Sequence, residues 1–283
     1  TEPTADRVLA DFDDTAFEGA GMSVRFSHSA EQGYRIAVTE ADGSSRTYPV
    51  HSVAGVAPLQ QYLLETDPGR LQSFDVGWDT EKGGWFHLYP DQALTPQDGL
   101  HWTGPYKTWN ARCAECHATG YEKAYDPVTR SYASTQSEIG VGCEACQGPG
   151  SAQLDWAEGR GLESSGLSEV GLTIDYTEGQ QAQIDGCAGC QARREAFDDG
   201  NPVAGTPFHD SYRLATLRPG LYHADGQVLE EVYVTGSFLQ SKMYAAGVTC
   251  TDCHDAHSAA RLAEGTGVCT SCHAPAGDER FPQ

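Results

Sequence analysis

Ten cysteines stand in five Cys-x-x-Cys pairs, and three of the pairs are completed at once by histidine. These are Cys113-Ala-Glu-Cys116-His117, Cys250-Thr-Asp-Cys253-His254 and Cys269-Thr-Ser-Cys272-His273. Two thiols at this spacing can add across the two vinyl groups of a haem, and the adjacent imidazole can then take the iron from the proximal face. A zinc ribbon or a redox dithiol would leave the His after each second Cys unexplained. The pentapeptides therefore predict haem c in at least three copies, held by Cys113, Cys116, Cys250, Cys253, Cys269 and Cys272, with His117, His254 and His273 as proximal ligands.

The other two pairs end in glutamine: Cys143-Glu-Ala-Cys146-Gln147 and Cys187-Ala-Gly-Cys190-Gln191. An amide oxygen is a poor ligand for haem iron. Three readings follow for Cys143, Cys146, Cys187 and Cys190. They are altered or former haem sites, now disulfides or free thiols; they retain haem with another axial ligand, bringing the count to five; or together they hold zinc. Zinc is the weakest of these, because the 40 residues between the pairs are about twice the usual ribbon spacing and an exported protein lacks reducing conditions.

Seven histidines remain after the three proximal ones, against only two methionines, Met22 and Met243. Bis-His ligation at low potential is thus the economical expectation. His257 follows His254 by three residues, so it lies on the proximal side of that haem and can serve only a neighbouring iron.

The elements that must position these groups read as follows. Residues 1–20 make an acidic, helix-like start. Short alternating runs follow from Met22 (MSVRFSH, GYRIAVTE, RTYPVHSV, RLQSFDVGW, GWFHLYP), broken by turn-like AEQ and ADGSS. The expected fold is α+β with little regular secondary structure. A small N-terminal antiparallel β unit without haem attachment spans 1–100, and a loop-rich, haem-packed multihaem domain with short helices spans 101–283. Helices are expected at Ser151–Glu158 and over Ser237–Ala246.

Composition narrows the setting. The chain has 283 residues, 39% hydrophobic, and a formal net charge of −22. That charge disfavours nucleic acid and anionic membrane, and suits basic redox proteins or metal ions, although solubility alone also explains it. No apolar run reaches a membrane span, and residues 1–20 lack a signal-peptide pattern. Covalent haem is attached outside the bacterial cytoplasm, so the expectation is a soluble periplasmic or extracellular protein whose leader has been removed.

The phrases APLQQYLLE (57–65), GWFHLYPDQ (84–92), LHWTGPYKTWNARCAECHATG (100–120), VGCEACQGPGS (141–151), GLYHADGQVLEEVYVTGSFLQSKMYAAGVTCTDCHDAHS (220–258) and CTSCHAPAG (269–277) resemble one family. It comprises multihaem c-type cytochromes with paired Cys-x-x-Cys-His motifs, related to the cytochrome c-554 group and often fused to tetratricopeptide repeats. The resemblance implies His87, His101, His223 and His257 as distal ligands, with His28, His51 and His209 left as surface residues. The chain departs from the family at Gln147 and Gln191, where it has the proximal His, and at Gln153. Relatives also tend to begin upstream of residue 1 and to continue past residue 283.

An electron-transfer cytochrome is the leading functional expectation. The first alternative is a multihaem oxidoreductase acting on a small nitrogen or sulfur compound, which needs an iron with an open position. The absence of Cys-x-x-Cys-Lys, the surplus of His and the repulsion of anions favour a carrier over an enzyme. The other alternative is a haem-stacking subunit of an extracellular conductive assembly, in which neighbouring copies or other multihaem subunits would be the partners.

Overall fold

Alternating apolar residues put one face of each early strand inward, and the sheet they form curls around that face. The computed structural model describes residues 1–92, 94–161, 166–177, 179–215 and 217–273. Its first strands are β1 (Thr15–Gly19), β2 (Met22–Ser29), β3 (Gly33–Thr39), β4 (Ser45–Ala54), β5 (Leu59–Asp67), β6 (Arg70–Ser73), β7 (Val76–Asp79) and β8 (Gly84–His87). They pair antiparallel in the order β1-β2-β3-β4-β5-β7-β8, with β6 on β5. The Trp85 indole on β8 donates to the Thr15 hydroxyl on β1 at 3.1 Å, so the two ends of the sheet meet.

Inside lie Val24, Phe26, Ile36, Val38, Tyr62, Leu64, Phe74 and Val76, all essentially inaccessible. Phe12 plugs this interior edge-on to Phe26, Tyr34, Tyr62 and Trp85, while Phe26 and Trp85 stack at 3.5 Å between ring centroids. Gln60, itself buried, ties the N-terminal segment to the sheet: its carbonyl accepts from Leu9 N–H and Tyr62 O–H, and its amide donates to the Arg7 carbonyl.

The alternating runs emerge as β2, β3, β4, β6 and β7, and β8. Two expectations change. The acidic start is not helical; it forms turns and bends and then strand β1, because Phe12 is drawn into the core. Strand β5, which alternation did not single out, pairs with β4, β6 and β7 and is buried at Gln60, Tyr62, Leu63 and Leu64. Its burial on both faces hides the period-two signal.

Beyond the sheet the chain forms short helices: α1 (Trp109–Arg112), α2 (Ala114–His117), α3 (Cys143–Gln147), α4 (Ser151–Ala157), α5 (Gln180–Gln191), α6 (Phe208–Ser211), α7 (Thr235–Leu239), α8 (Lys242–Ala245) and α9 (Gly267–Thr270). Helix α4 lies where expected. The helix expected over Ser237–Ala246 is two, α7 and α8, parted where the Ser241 side chain accepts from Tyr244 N–H and caps the second. No helix of the described residues is long and apolar enough to cross a membrane.

The chain divides into two compact units, Thr1–Gly142 with Asp199–Asn201, and Cys143–Asp198 with Pro202–Gln283. The division therefore falls well past the expected boundary at residue 100, because the first complete motif folds with the sheet. Within the first unit, Asn110 on α1 is buried; its carbonyl accepts from Leu71 N–H at 2.8 Å and its amide donates to the Gly69 carbonyl and the Ser134 hydroxyl. Gly69 lets the Tyr132 backbone come close: its φ is +69°, and a Cβ there would lie 1.9 Å from the Tyr132 carbonyl. The end of the phrase CTSCHAPAG, 274–277, lies outside the described residues.

Candidate haem-attachment sites

Each complete motif is a single helical turn. The His N–H bonds back to the carbonyl of the first Cys at 3.1 Å for His117, 3.0 Å for His254 and 2.7 Å for His273. That closure sets both thiols and the imidazole on one short turn, as covalent haem attachment requires. The two glutamine motifs are helical as well: Cys143–Gln147 is α3, and Cys187–Gln191 is the last turn of α5. None of the ten cysteines is in a disulfide. Among the described residues no three His, Cys, Asp or Glu side chains are gathered to hold a metal ion, so the four-cysteine zinc reading finds no support.

In the first unit, Ala114, Ala118 and Tyr121 anchor the motif of α2 with Trp109 beside them. Burial raises the Cys113 thiol, which hydrogen-bonds Ser73. Two residues on, between β6 and β7, Asp75 is buried and paired with Lys107 at 2.8 Å. Burial raises the Asp75 carboxyl, and the Lys107 ammonium works against that rise. The exit of the motif is fixed by Ala118–Thr119 pairing with Glu138–Ile139, and Asn201 donates to the Glu115 carbonyl.

The second unit brings the remaining four pairs into a row. Tyr176 donates to the Cys146 carbonyl at 2.5 Å and lies against Gly186, where a Cβ would meet its hydroxyl at 2.6 Å. Burial and the neighbouring sulfurs of Cys146 and Cys187 push the Tyr176 phenol up to about 12. Cys187 lies beside Cys250, and the pairing pulls Cys250 down to about 7 while Cys187 is pushed far up. Burial raises Cys253, with Asp252 and then the nearby Cys272 and Cys269 adding to the rise. The series thus runs 146, 187, 250–253, 269–272.

The histidines differ in what their rings already do. His254 Nδ1 faces the Ala259 carbonyl at 3.2 Å, so Nδ1 carries the proton and Nε2 keeps a lone pair for iron. His87 is buried and its Nδ1 accepts from Tyr89 N–H at 3.0 Å, which leaves the proton on Nε2. His101 is also buried: its Nδ1 accepts from Thr103 N–H, and its Nε2 faces Glu40 at 3.3 Å. Both rings hold the tautomer opposite to the one an Nε2 ligand needs. His223 and His257 are exposed outside the helices and strands, while His28 on β2, His51 on β4 and His209 in α6 are exposed on theirs. Sequence reasoning missed Asn110, Ser73 and Tyr176, which position the motifs. Asn110 lies inside the phrase carrying the resemblance, but an asparagine there gives no sign of what it holds.

A haem fits this donor set and also fits what surrounds it. The second unit buries only seven apolar side chains among its described residues: Ile184, Ala188, Ala192, Phe208, Tyr212, Tyr222 and Val232. Leu154, Trp156, Val234, Met243 and Leu262 stand exposed in the same unit. Flat apolar macrocycles are the cover such a unit lacks.

Residues 94–148 match the family model of cytochrome c554 and c-prime. Over that segment the chain is similar to a c-type cytochrome family, and covalently bound haem c is the cofactor its complete motifs would hold. The family match takes in both Cys113–His117 and the altered pair Cys143–Gln147. Among solved structures, the chain is similar to the outer cell wall cytochrome OcwA, with 18% identity and a TM-score of 0.46. That match covers 76% of this chain and 46% of the other, so the chain spans less than half the length of that protein. No curated protein matches it.

Proposed function

We propose that this cytochrome passes single electrons through at least three haems, held at Cys113/Cys116, Cys250/Cys253 and Cys269/Cys272, without chemistry at a substrate. The observation that carries the reading is the closeness of two complete motifs inside one unit, where Cys253 lies in the field of Cys269 and Cys272. Haems tethered so near each other exchange electrons directly. His117, His254 and His273 would hold the irons from the proximal side, and the Ala259 carbonyl would fix the His254 ring. His223 and His257 are the distal candidates with exposed rings, whereas His87 or His101 would have to give up a protein hydrogen bond first. Such a chain would work in the periplasm or outside the cell, and its charge of −22 suits a basic redox partner.

Intact mass under denaturing conditions tests this, since thioether-bound haem survives unfolding and each haem adds a fixed increment. At least three increments are expected, with low-spin spectra at those three sites. Fewer than three, or high-spin iron at all of them, overturns the reading.

A further inference from the structure

The glutamine motifs keep everything a complete motif has except the imidazole. Cys143–Gln147 and Cys187–Gln191 hold the same helical turn as the three His motifs, with four thiols in no disulfide. They sit within the row of motifs: Tyr176 bonds the Cys146 carbonyl and packs against Gly186 on the helix carrying Cys187. The unit around them has little core of its own, and Leu154 and Trp156, shortly after the first pair, are exposed. Two haems on His motifs would leave the end of the row at Cys146 and Cys187 uncovered.

We infer that Cys143/Cys146 and Cys187/Cys190 each carry a covalent haem whose iron has no proximal imidazole, and that these two irons are where a small neutral ligand such as carbon monoxide binds. The inference rests on the electron-transfer reading above. Attachment needs no group beyond those present: each thiol sulfur bonds one carbon of a vinyl group and its hydrogen goes to the other, so nothing leaves and no oxidant is consumed. The iron then faces Gln147 or Gln191, whose amide oxygen competes weakly for it. These two sites therefore open one end of the row to ligand binding, whereas the complete motifs close theirs with imidazole.

The test uses the full exported chain matured with haem. Denatured intact mass is expected to show five increments, with two haems binding carbon monoxide when reduced. Cys143→Ser/Cys146→Ser and Cys187→Ser/Cys190→Ser should each lose one increment. Gln147→His and Gln191→His should each keep five increments and convert one carbon monoxide adduct into the imidazole-ligated form, read from its absorption spectrum. Three or four increments, or five with no carbon monoxide binding, overturn the inference while leaving the electron carrier intact. Fewer than three overturn the carrier reading itself. The mass of the unaltered chain decides the count even if a variant fails to fold.

Discussion

At the scale of single residues, hydrogen bonds decide which histidines are available to iron. His101 and Trp102 both donate to Glu40, at 3.3 and 2.9 Å, and fasten residues 101–102 to the end of β3. Burial pushes the Glu40 carboxyl upward, but these two donors outweigh it and leave it below its usual value. In the range between the folded and unfolded values the unfolded chain binds more protons, so stability rises with pH there and is lost on acidification. Glu40→Gln should cost about 1–2 kcal/mol at neutral pH and should flatten part of the acid loss below the ordinary glutamate range. Urea unfolding followed by circular dichroism across that range checks both, and an unchanged acid slope refutes the assignment. His257 poses the complementary case. It projects from the loop in which Asp255 accepts from Ser258 and Asp255 N–H bonds the Ala260 carbonyl, while His254 is held by Ala259. His257→Met should raise the potential of one haem, thioether replacing imidazole, and leave the haem of Cys250/Cys253 ligated as before. Potentiometric titration with optical detection resolves the step, and a change confined to the haem of Cys250/Cys253 counts against the pairing.

At the scale of elements, the curled sheet and the helical turns have opposite sources of stability. The sheet is held by interior aromatics, above all Phe26 stacked on Trp85 beneath Phe12. Phe26 is fully buried, so Phe26→Ala should cost about 3–5 kcal/mol, lost transfer energy and cavity together, as read by denaturant unfolding of the sheet signal. A cost below about 1 kcal/mol would mean that the plug is not closed. The motif turns are too short to stand alone, since a helix of one turn has no cooperative length. The motif of the first unit borrows its stability from Asn110 and the small cluster of Ala114, Ala118 and Tyr121. The motifs of the second unit have few such anchors, and Tyr176 is the clearest of them.

At the scale of the whole molecule, the two units bury apolar surface very unequally. The first encloses a continuous core from Phe12 to Trp102, whereas the largest cluster of the second is Ala188, Ala192, Phe208 and Tyr212. Burial supplies roughly 25 cal/mol per Å², so the second unit draws far less of that energy from its own side chains than the first. A chain produced without haem attachment should keep the sheet of residues 15–87 resistant to protease and lose the region from Cys143 onward within the same digestion. Equal resistance of both units in the haem-free chain would contradict this.

How much of this was legible in the sequence depends on whether the cause is local. Three complete motifs, and the five pairs as one set, could be read directly, because attachment chemistry depends on two thiols and an imidazole within five residues. Strands β2, β3, β4 and β8 were legible because each has one wet face, which alternation records. Strand β5 was not, being buried on both faces, and the acidic start misled because Phe12, a single residue, outweighs the charges around it. The placement of the first motif with the sheet, and the rings of His87 and His101 turned to Tyr89 and Glu40, were decided by tertiary structure alone. Those outcomes depend on partners such as Asn110 with Leu71, or His101 with Glu40, that lie 39 and 61 residues apart. A local spacing carries its chemistry in the text of the chain; a hydrogen bond between distant residues exists only once the fold has brought them together.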